Sequence, residues 1–182
     1  YDVIIIGAGP GGYVAGIRAS QLGLKTCIIE KEDVGGVCLN VGCIPTKNLI
    51  RQAQLVDSCK DLEKLGIRFD AKGFNFQNVY EGSRSVVDSL TKGVEFLLKK
   101  NKIDLVKGKA VICGKNCVKL ENGMELRGRN IIIATGSRPM EIPGFEFDEK
   151  QILSSTGMLN QVKLPKTLII LGGGAIGIEF AY

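Results

Sequence analysis

The feature that most constrains the fold is a glycine-rich turn between a β-branched apolar run and a segment with helical spacing. The apolar run covers residues 2–6, the turn residues 7–12 and the helical spacing residues 13–22, with Gly23 as a stop signal. A second run rich in Ile and Thr, residues 25–30, completes a βαβ unit of about 30 residues. Because strands joined by a crossover helix run parallel, the sequence predicts an α/β fold with a parallel sheet.

The spacing Gly7-x-Gly9-x-x-Gly12, with Glu30 at the end of the next strand, is typical of a dinucleotide-binding site. The glycines allow a tight turn, a close backbone approach to a pyrophosphate and close helix packing, while the carboxylate accepts a hydrogen bond from a ribose hydroxyl. A glycine triplet alone is equally a plain turn. The flanking strand, helix and acidic strand end together favour dinucleotide binding.

The same pattern recurs near the end of the chain. Residues 167–171 (TLIIL) form an apolar run, and Gly172, Gly174 and Gly177 open a second helix. Only ten residues follow Gly172, too few for a complete βαβ unit. We therefore expect a fragment that ends just inside a second nucleotide-binding domain, whose preference for NAD or NADP is left open.

Between the two turns, the periodicity predicts two helices and then a set of short strands. The helices are expected at Thr46 to Leu65 and at Asn75 to Asn101. A β-meander is expected from four short runs separated by Gly and Asn turn signals: Ile103–Val106, Ala110–Cys113, Val118–Leu120 and Met124–Leu126. The continuous apolar run from Asn130 to Ala134 suits a buried parallel strand that returns to the first sheet. Pro139, Pro143 and Gly144 mark a linker-like segment.

Composition excludes several classes of protein. A chain with 45% hydrophobic and 24% charged residues is neither disordered nor collagen-like nor a coiled coil. With no histidine, the chain cannot supply Ser-His, Cys-His or His-metal chemistry by itself.

Its net charge of +5 is mild and spread along the chain, which favours small phosphorylated ligands over nucleic acid. No apolar run approaches the ~20 residues of a membrane span, and no signal sequence is visible. We expect a soluble protein in a reducing compartment.

The six cysteines include one informative pair, Cys38 and Cys43, within a glycine-rich stretch. They could be buried thiols, a structural staple, metal ligands or a redox pair. Metal binding is disfavoured because there is neither a Cys-x-x-Cys pair nor a histidine. Residues five apart on a regular helix are separated by about 7.5 Å along its axis, so a bridge needs the distorted turn that Gly35, Gly36 and Gly42 permit. A strained bridge is readily reduced, which favours the redox interpretation.

The other four cysteines fall in strand, helix or meander patterns. Cys27, Cys59, Cys113 and Cys117 are therefore expected to be packing residues. Cys113 and Cys117, which flank a turn, are the only second candidate pair.

The segment Gly35-Gly36-Val37-Cys38-Leu39-Asn40-Val41-Gly42-Cys43-Ile44-Pro45 resembles the redox motif of the pyridine nucleotide disulfide oxidoreductases. It follows an FAD-type glycine turn and precedes Ala134-Thr135-Gly136-Ser137 and the second glycine turn, so four motifs in order cover the chain. Within the family, Leu39 to Pro45 is most similar to the members that oxidise dihydrolipoamide.

This resemblance implies an FAD-binding domain at residues 1–145 with a redox disulfide, a linker at 146–165 and the start of a truncated NAD-binding domain at 166–182. Gly7, Gly9 and Gly12 would contact the FAD pyrophosphate, and Glu30 the adenosine ribose. The other residues that the resemblance assigns to FAD are Lys31, Gly36, Val37, Cys38, Lys47, Gly108, Ala110, Thr135, Gly136 and Ser137. NAD would bind at Gly172, Gly174 and Gly177, and no metal site is expected.

The resemblance also implies roles in catalysis. Cys38 matches the interchange thiol that reacts with the substrate, Cys43 the thiol that faces the flavin, and Glu179 the acidic partner of Lys47 beside the flavin ring. The chain departs from the family in having Val37 where Thr is common. It also lacks the rest of the nicotinamide domain and the dimer-forming C-terminal domain, with the histidine that a partner subunit supplies.

The implied activity of the full protein is the oxidation of protein-bound dihydrolipoamide, through the Cys38–Cys43 disulfide and FAD, with NAD as the hydride acceptor. The substrate would be a small molecule or a lipoyl domain, and the full protein a cytoplasmic or mitochondrial-matrix homodimer with no nucleic-acid or membrane partner. Two alternatives stay open: another disulfide or mercuric reductase of the family, or a flavin-binding fragment without turnover. The fragment alone is expected to be incomplete as an enzyme.

Overall fold

A computed structural model describes residues 1–70 and 72–182, which form two compact units. The first unit contains Tyr1–Asn40 and Asp88–Arg138, and the second contains Val41–Val87 and Pro139–Tyr182. The elements in chain order are β1 (Val3–Ile6), α1 (Pro10–Gln21), β2 (Thr26–Glu30), α2 (Gly36–Val41), α3 (Cys43–Lys64), α4 (Phe76–Lys100), β3 (Asp104–Lys107), β4 (Ala110–Gly114), β5 (Cys117–Leu120), β6 (Glu125–Arg127), β7 (Asn130–Ile133), α5 (Ser155–Leu159) and α6 (Ala175–Ala181).

The first unit is built on a parallel sheet with the strand order β3-β2-β1-β7. Ile4 of β1 pairs with Cys27 of β2 on one side and with Ile131 of β7 on the other. The predicted α/β fold is therefore confirmed, and so is the return of the run at Asn130 to the first sheet. All three pairings in this sheet are parallel.

One face of this sheet packs against α1 through small residues. Gly12, Gly16 and Ala19 are the buried residues of the helix. A Cβ added to Gly16 would lie 2.6 Å from Cδ1 of Ile28, which is fully buried in β2. The short side chains therefore let the helix approach the strands closely and cover the apolar surface of the sheet.

The opposite face of the sheet carries a cluster of buried apolar residues. Ile4, Cys27 and Ile29 pack there against Val118 and Leu120 of β5. All five side chains are essentially removed from solvent. The first unit is thus layered as helix, parallel sheet and antiparallel sheet, and alternation along β1 and β2 decides which side chain meets which layer.

The meander has three strands, so the predicted four-run meander was wrong in its first run. Residues 104–107 form β3, which pairs in parallel with β2, while β4, β5 and β6 form the antiparallel sheet. The reason is connectivity: the long helix α4 precedes β3 and provides the crossover that a parallel strand requires. Short apolar runs look alike in both kinds of sheet, so their spacing could not separate the two.

The structure also corrects the prediction for Cys113 and Cys117, which form a disulfide bond. The ladder between β4 and β5 shifts register between Ile112 and Gly114, and the two cysteine Cα atoms lie 5.2 Å apart. That distance is within the range that a disulfide can span. Cys117 is buried beside the core, whereas Cys113 is exposed, so the bridge joins the edge strand β4 to the packed strand β5.

In the second unit, α3 begins at Cys43, three residues earlier than predicted, and Gly42 separates it from α2. The predicted linker contains a short helix, α5, whose N-terminus is capped by the side chain of Ser154. The predicted strand at 167–171 is not formed, and Ile169 is 90% exposed. A strand needs a neighbour to accept its backbone hydrogen bonds, and no described residue pairs with this segment.

Within residues 1–70 and 72–182, no helix has the length and apolar character needed to cross a membrane.

Removing the Cys113–Cys117 bridge should destabilise the protein. The bridge joins two cysteines with a sequence separation of 4. For so short a loop, the loop-closure model gives a contribution of about 2 kcal/mol to the free energy of unfolding. We expect the double variant Cys113→Ser/Cys117→Ser to unfold at lower urea concentration than the wild type under non-reducing conditions. In excess dithiothreitol the difference should disappear. Cys59→Ser, which removes an unbridged thiol, is the control. An equal difference with and without reductant would contradict the bridge.

Candidate functional site

The turn between β1 and α1 is shaped by close backbone contacts. Gly7 has a φ of +106°, which favours glycine, and its N–H donates to the carbonyl of Ile29 over 2.8 Å. A Cβ on Gly12 would overlap the carbonyl oxygen of Gly7 and lie 2.8 Å from the carbonyl carbon. Gly9 is the N-cap of α1, and no side chain caps this helix. The first amides of α1 are thus available to a ligand that carries acceptor oxygens.

Glu30 is fixed beside this turn at the end of β2. Its side chain is buried, and one carboxylate oxygen accepts a hydrogen bond from the Ala8 amide over 2.7 Å. The other oxygen accepts from the Glu32 amide over 2.8 Å. A carboxylate oxygen can accept more than one hydrogen bond, so Glu30 can still accept a hydrogen bond from a hydroxyl group of a ligand at the turn.

The start of α2 lies against the same turn. A Cβ on Gly36 would be 2.7 Å from the Cα of Gly9, and the Gly35 amide donates to the carbonyl of Ala8 over 2.9 Å. Cys38 follows within α2 and is half-buried, and Val37 is 47% exposed. The cysteine-bearing helix and the glycine turn therefore belong to one packed group in the first unit.

The remaining predicted FAD residues of the first unit lie at strand ends. Gly108 donates its amide to the carbonyl of Glu30, and Ala110 opens β4. The exposed segment Thr135-Gly136-Ser137 follows Ala134, whose amide donates to the carbonyl of Ile6. Lys31 is exposed and forms an ion pair with Glu32. Apart from Ala110, these residues follow the carboxyl ends of the parallel strands β2, β3 and β7, where open α/β sheets bind ligands.

In the second unit, Cys43 is the first residue of α3 and is exposed. Lys47 lies one turn further along α3 and forms an ion pair with Glu179 of α6. The pairing of these two residues that the family resemblance implies is thus present. Both side chains keep contact with solvent, so the pair contributes little to stability and more to the orientation of the lysine.

The second glycine turn repeats the geometry of the first. Gly172 has a φ of +113°, and Gly174 has a φ of −75° and a ψ of 177°, against −71° and −175° for Gly9. A Cβ on Gly177 would overlap the Gly172 carbonyl oxygen, as one on Gly12 would overlap that of Gly7. The predicted likeness of the two turns is therefore present in the backbone, although residues 167–171 are unpaired.

Cys38 is half-buried and Cys43 is exposed. A redox pair passes through a dithiol and a disulfide form, so the Cys38–Cys43 bridge stays a prediction. Burial raises the pKa of the Cys27 thiol to about 11, and nearby Asp104 acts in the same direction. Cys27 is therefore a core residue without nucleophilic character at neutral pH. Among the described residues, no group of three or more His, Cys, Asp or Glu side chains could hold a metal ion.

Sequence reasoning missed the role of Asn40, which lies two residues after Cys38. Its side-chain amide donates to the carbonyls of Val34 and Gly36, each over 3.0 Å, and its oxygen accepts from Thr91. A polar residue between Leu39 and Val41 was the available signal. The partner on α4 lies 51 residues away along the chain and could not be inferred from spacing.

Several known proteins resemble this chain over its whole length. It is 50% identical over 181 residues to a dihydrolipoyl dehydrogenase of Geobacillus stearothermophilus, covering 98% of this chain and 38% of that protein. It is 45% identical over 193 residues to a dihydrolipoyl dehydrogenase of Bacillus subtilis, covering 100% of this chain and 41% of that protein. The chain thus spans about two fifths of the length of these relatives.

A solved structure has the same fold. It is an HOCl-induced flavoprotein disulfide reductase, RclA, from Escherichia coli, with a TM-score of 0.83 and 31% sequence identity. The match covers 100% of this chain and 39% of RclA. The family model for pyridine nucleotide-disulphide oxidoreductases matches residues 1–182. With both glycine turns and the cysteine-bearing helix in place, the chain belongs to the pyridine nucleotide-disulphide oxidoreductase family.

Proposed function

We propose that the chain is the flavin-binding and dithiol-bearing part of an enzyme that oxidises dihydrolipoamide to lipoamide, with NAD as the acceptor. The observation that carries this proposal is the packing of α2, which bears Cys38, against the glycine turn through Gly36 and Gly9. The relatives named dihydrolipoyl dehydrogenase support the choice of substrate.

The first glycine turn fits the pyrophosphate of FAD. Among the described residues, a Cβ on Gly9 would have only the Cα of Gly36 within 4 Å, at 3.8 Å, so they leave that side of the turn open. The Gly9 backbone can thus approach a phosphate closely, while Glu30 accepts from the adenosine ribose. We assign the other predicted contacts, from Lys31 to Ser137, to the same cofactor. Bound FAD would supply the two-electron carrier between dithiol and nicotinamide chemistry.

Cys38 and Cys43 would exchange the electrons of the substrate. The dithiol of dihydrolipoamide attacks the Cys38–Cys43 disulfide as a thiolate, and a mixed disulfide with Cys38 forms while Cys43 leaves. The second substrate thiol then closes the lipoamide ring and releases Cys38. The substrate loses two electrons and two protons: the protein disulfide gains the two electrons and becomes a pair of thiolates, and the two protons go to a base. The ion pair with Glu179 orients Lys47 beside Cys43, which lies one helical turn away on α3.

A base must accept the protons of the substrate. Histidine is the side chain whose usual pKa suits this role near neutral pH, and the chain has none. We therefore assign the base to a residue outside these 182 residues. NAD would bind at the turn formed by Gly172, Gly174 and Gly177.

A second candidate function is the reduction of another disulfide or a mercuric substrate. The likeness to the disulfide reductase RclA supports this alternative. We propose in addition the division into 1–145, 146–165 and 166–182, homodimer formation by the full protein, and a location in the cytoplasm or mitochondrial matrix.

FAD binding should depend on the absence of a side chain at Gly9. We expect Gly9→Val to weaken FAD binding by at least about a hundredfold, because the side chain would hold the backbone away from the pyrophosphate. The measurement is a titration of flavin fluorescence. Gly93→Val is the control, since Gly93 lies in α4 and a Cβ there would meet nothing within 4 Å. Equal FAD affinity of Gly9→Val and the wild type would show that the turn is assigned wrongly.

The proposed roles of the two cysteines predict how FAD changes their labelling. Saturating FAD should slow the alkylation of Cys43 at pH 8, because a flavin against this exposed thiol would cover it, and should leave Cys38 the faster of the two. Peptide mass spectrometry after reduction reads both rates. Cys59, on α3, should label independently of FAD, and Cys27 should stay unlabelled because its pKa is about 11. Slower labelling of Cys38 with Cys43 unchanged would reverse the assignment.

The substrate is tested in the full-length protein. We expect it to form NADH from dihydrolipoamide and NAD, and either Cys38→Ser or Cys43→Ser to lower this rate by at least about a thousandfold. Cys59→Ser should keep the wild-type rate. A wild-type protein that forms no NADH from dihydrolipoamide but consumes NADPH or NADH with another disulfide would favour the second candidate.

A further inference from the structure

The helix that carries Cys38 is short, so its backbone hydrogen bonds alone stabilise it weakly. It has six residues, Gly36–Val41. A helix of this length forms few backbone hydrogen bonds and is only marginally stable in isolation. Two side-chain hydrogen bonds supplement them, both from the amide of Asn40, to the carbonyl oxygens of Gly36 and Val34 over 3.0 Å each. These bonds tie the end of α2 back to its first residue and to the loop before it.

The amide of Asn40 is also held by Thr91. The hydroxyl of Thr91, on α4, lies 3.2 Å from the side-chain oxygen of Asn40. An amide oxygen only accepts, so Thr91 is the donor. If the amide were reversed, its oxygen would face the carbonyl oxygens of Val34 and Gly36, and both hydrogen bonds would be lost. In the orientation that these two carbonyls set, the Thr91 hydroxyl therefore adds a third hydrogen bond to the Asn40 side chain and joins it to α4.

The surroundings make this contact separable from core packing. Asn40 and Thr91 line an open cavity of about 310 Å³ together with Asp33, Asp88, Lys92 and Glu95. Thr91 is partly exposed, so replacing its hydroxyl by a methyl group leaves no void in the core. On the other side, α2 is held against the glycine turn by the contact of Gly36 with Gly9. Cys38 lies between these two attachments.

We infer that Thr91 is a positioning residue for Cys38, acting through the amide of Asn40. This inference rests on the proposed redox function of Cys38 and Cys43. Closing a disulfide requires both sulfur atoms in one narrow geometry, and a helix that frays spends less time there. Without the Thr91 hydroxyl, the bridge should therefore close less favourably while the fold is retained.

The test is the equilibrium between the protein dithiol and glutathione disulfide. Two protein thiols give up two electrons and two protons, one protein disulfide forms, and one glutathione disulfide becomes two glutathione thiols. The equilibrium constant is read by acid quenching, alkylation and mass spectrometry of the peptide that contains Cys38 and Cys43. All variants carry Cys113→Ser/Cys117→Ser, so that the second bridge does not contribute.

We expect Thr91→Val to lower this equilibrium constant about three- to tenfold, the range that corresponds to one net hydrogen bond. Thr91→Ser, which keeps the hydroxyl, should restore most of it. Ser89→Ala, which removes an exposed hydroxyl from the same helix, should leave it unchanged. If Thr91→Val acted only by destabilising the whole fold, its urea unfolding midpoint would fall and Thr91→Ser would not restore the equilibrium constant; that result would contradict the inference.

The possible failures are distinguishable. If the Cys113→Ser/Cys117→Ser protein with Thr91 intact forms no Cys38–Cys43 bridge at any glutathione ratio, the proposed redox function is wrong and the inference is wrong with it. If that protein forms the bridge and Thr91→Val has the same equilibrium constant, only the role of Thr91 is overturned. Equal losses in Thr91→Val and Thr91→Ser would also overturn it, since the hydroxyl would then be irrelevant.

Discussion

The site depends on the close approach of backbone to backbone at the first glycine turn. Gly12 packs on the carbonyl of Gly7, and Gly36 packs on Gly9, at distances that leave no room for a Cβ. The first contact allows α1 to start directly over the end of β1. The second brings the helix with Cys38 to the same place. A single constraint, the absence of side chains at Gly12 and Gly36, thus brings the thiol of Cys38, for which we propose a redox role, to the amides that we propose to bind phosphate.

Burial and hydrogen bonding then fix the polar side chains around this glycine turn. Glu30 is held by two backbone amides, so its carboxylate is placed before any ligand arrives. Such pre-organisation lowers the entropic cost of binding. Asn40 does the same for the cysteine-bearing helix, because both hydrogens of its amide are used on backbone carbonyls. The proposed nucleotide and redox functions therefore depend on the same kind of interaction, a polar side chain that fixes a loop or a short helix.

Local features of the sequence were sufficient to predict the elements that position the candidate site. The strand, glycine turn and helix at residues 3–21 follow from short-range patterns, and Glu30 follows from its place at the end of β2. Long-range choices were not accessible in this way. The membership of β3 in the parallel sheet is decided by the crossover through α4, and the Cys113–Cys117 bridge by a register shift in a hairpin. The contact of Asn40 with Thr91 depends on packing between two helices.

We propose that the turn at residues 7–12 binds the phosphates of FAD with its backbone. A two-dimensional amide NMR titration of the ¹⁵N-labelled chain with FAD tests it directly. The account predicts the largest shift changes at the amides of Gly9, Gly11 and Gly12, with a change at Ala8, whose amide donates to Glu30. Saturable FAD binding that leaves these amides unshifted, or that shifts only the amides of residues 172–177, would contradict it.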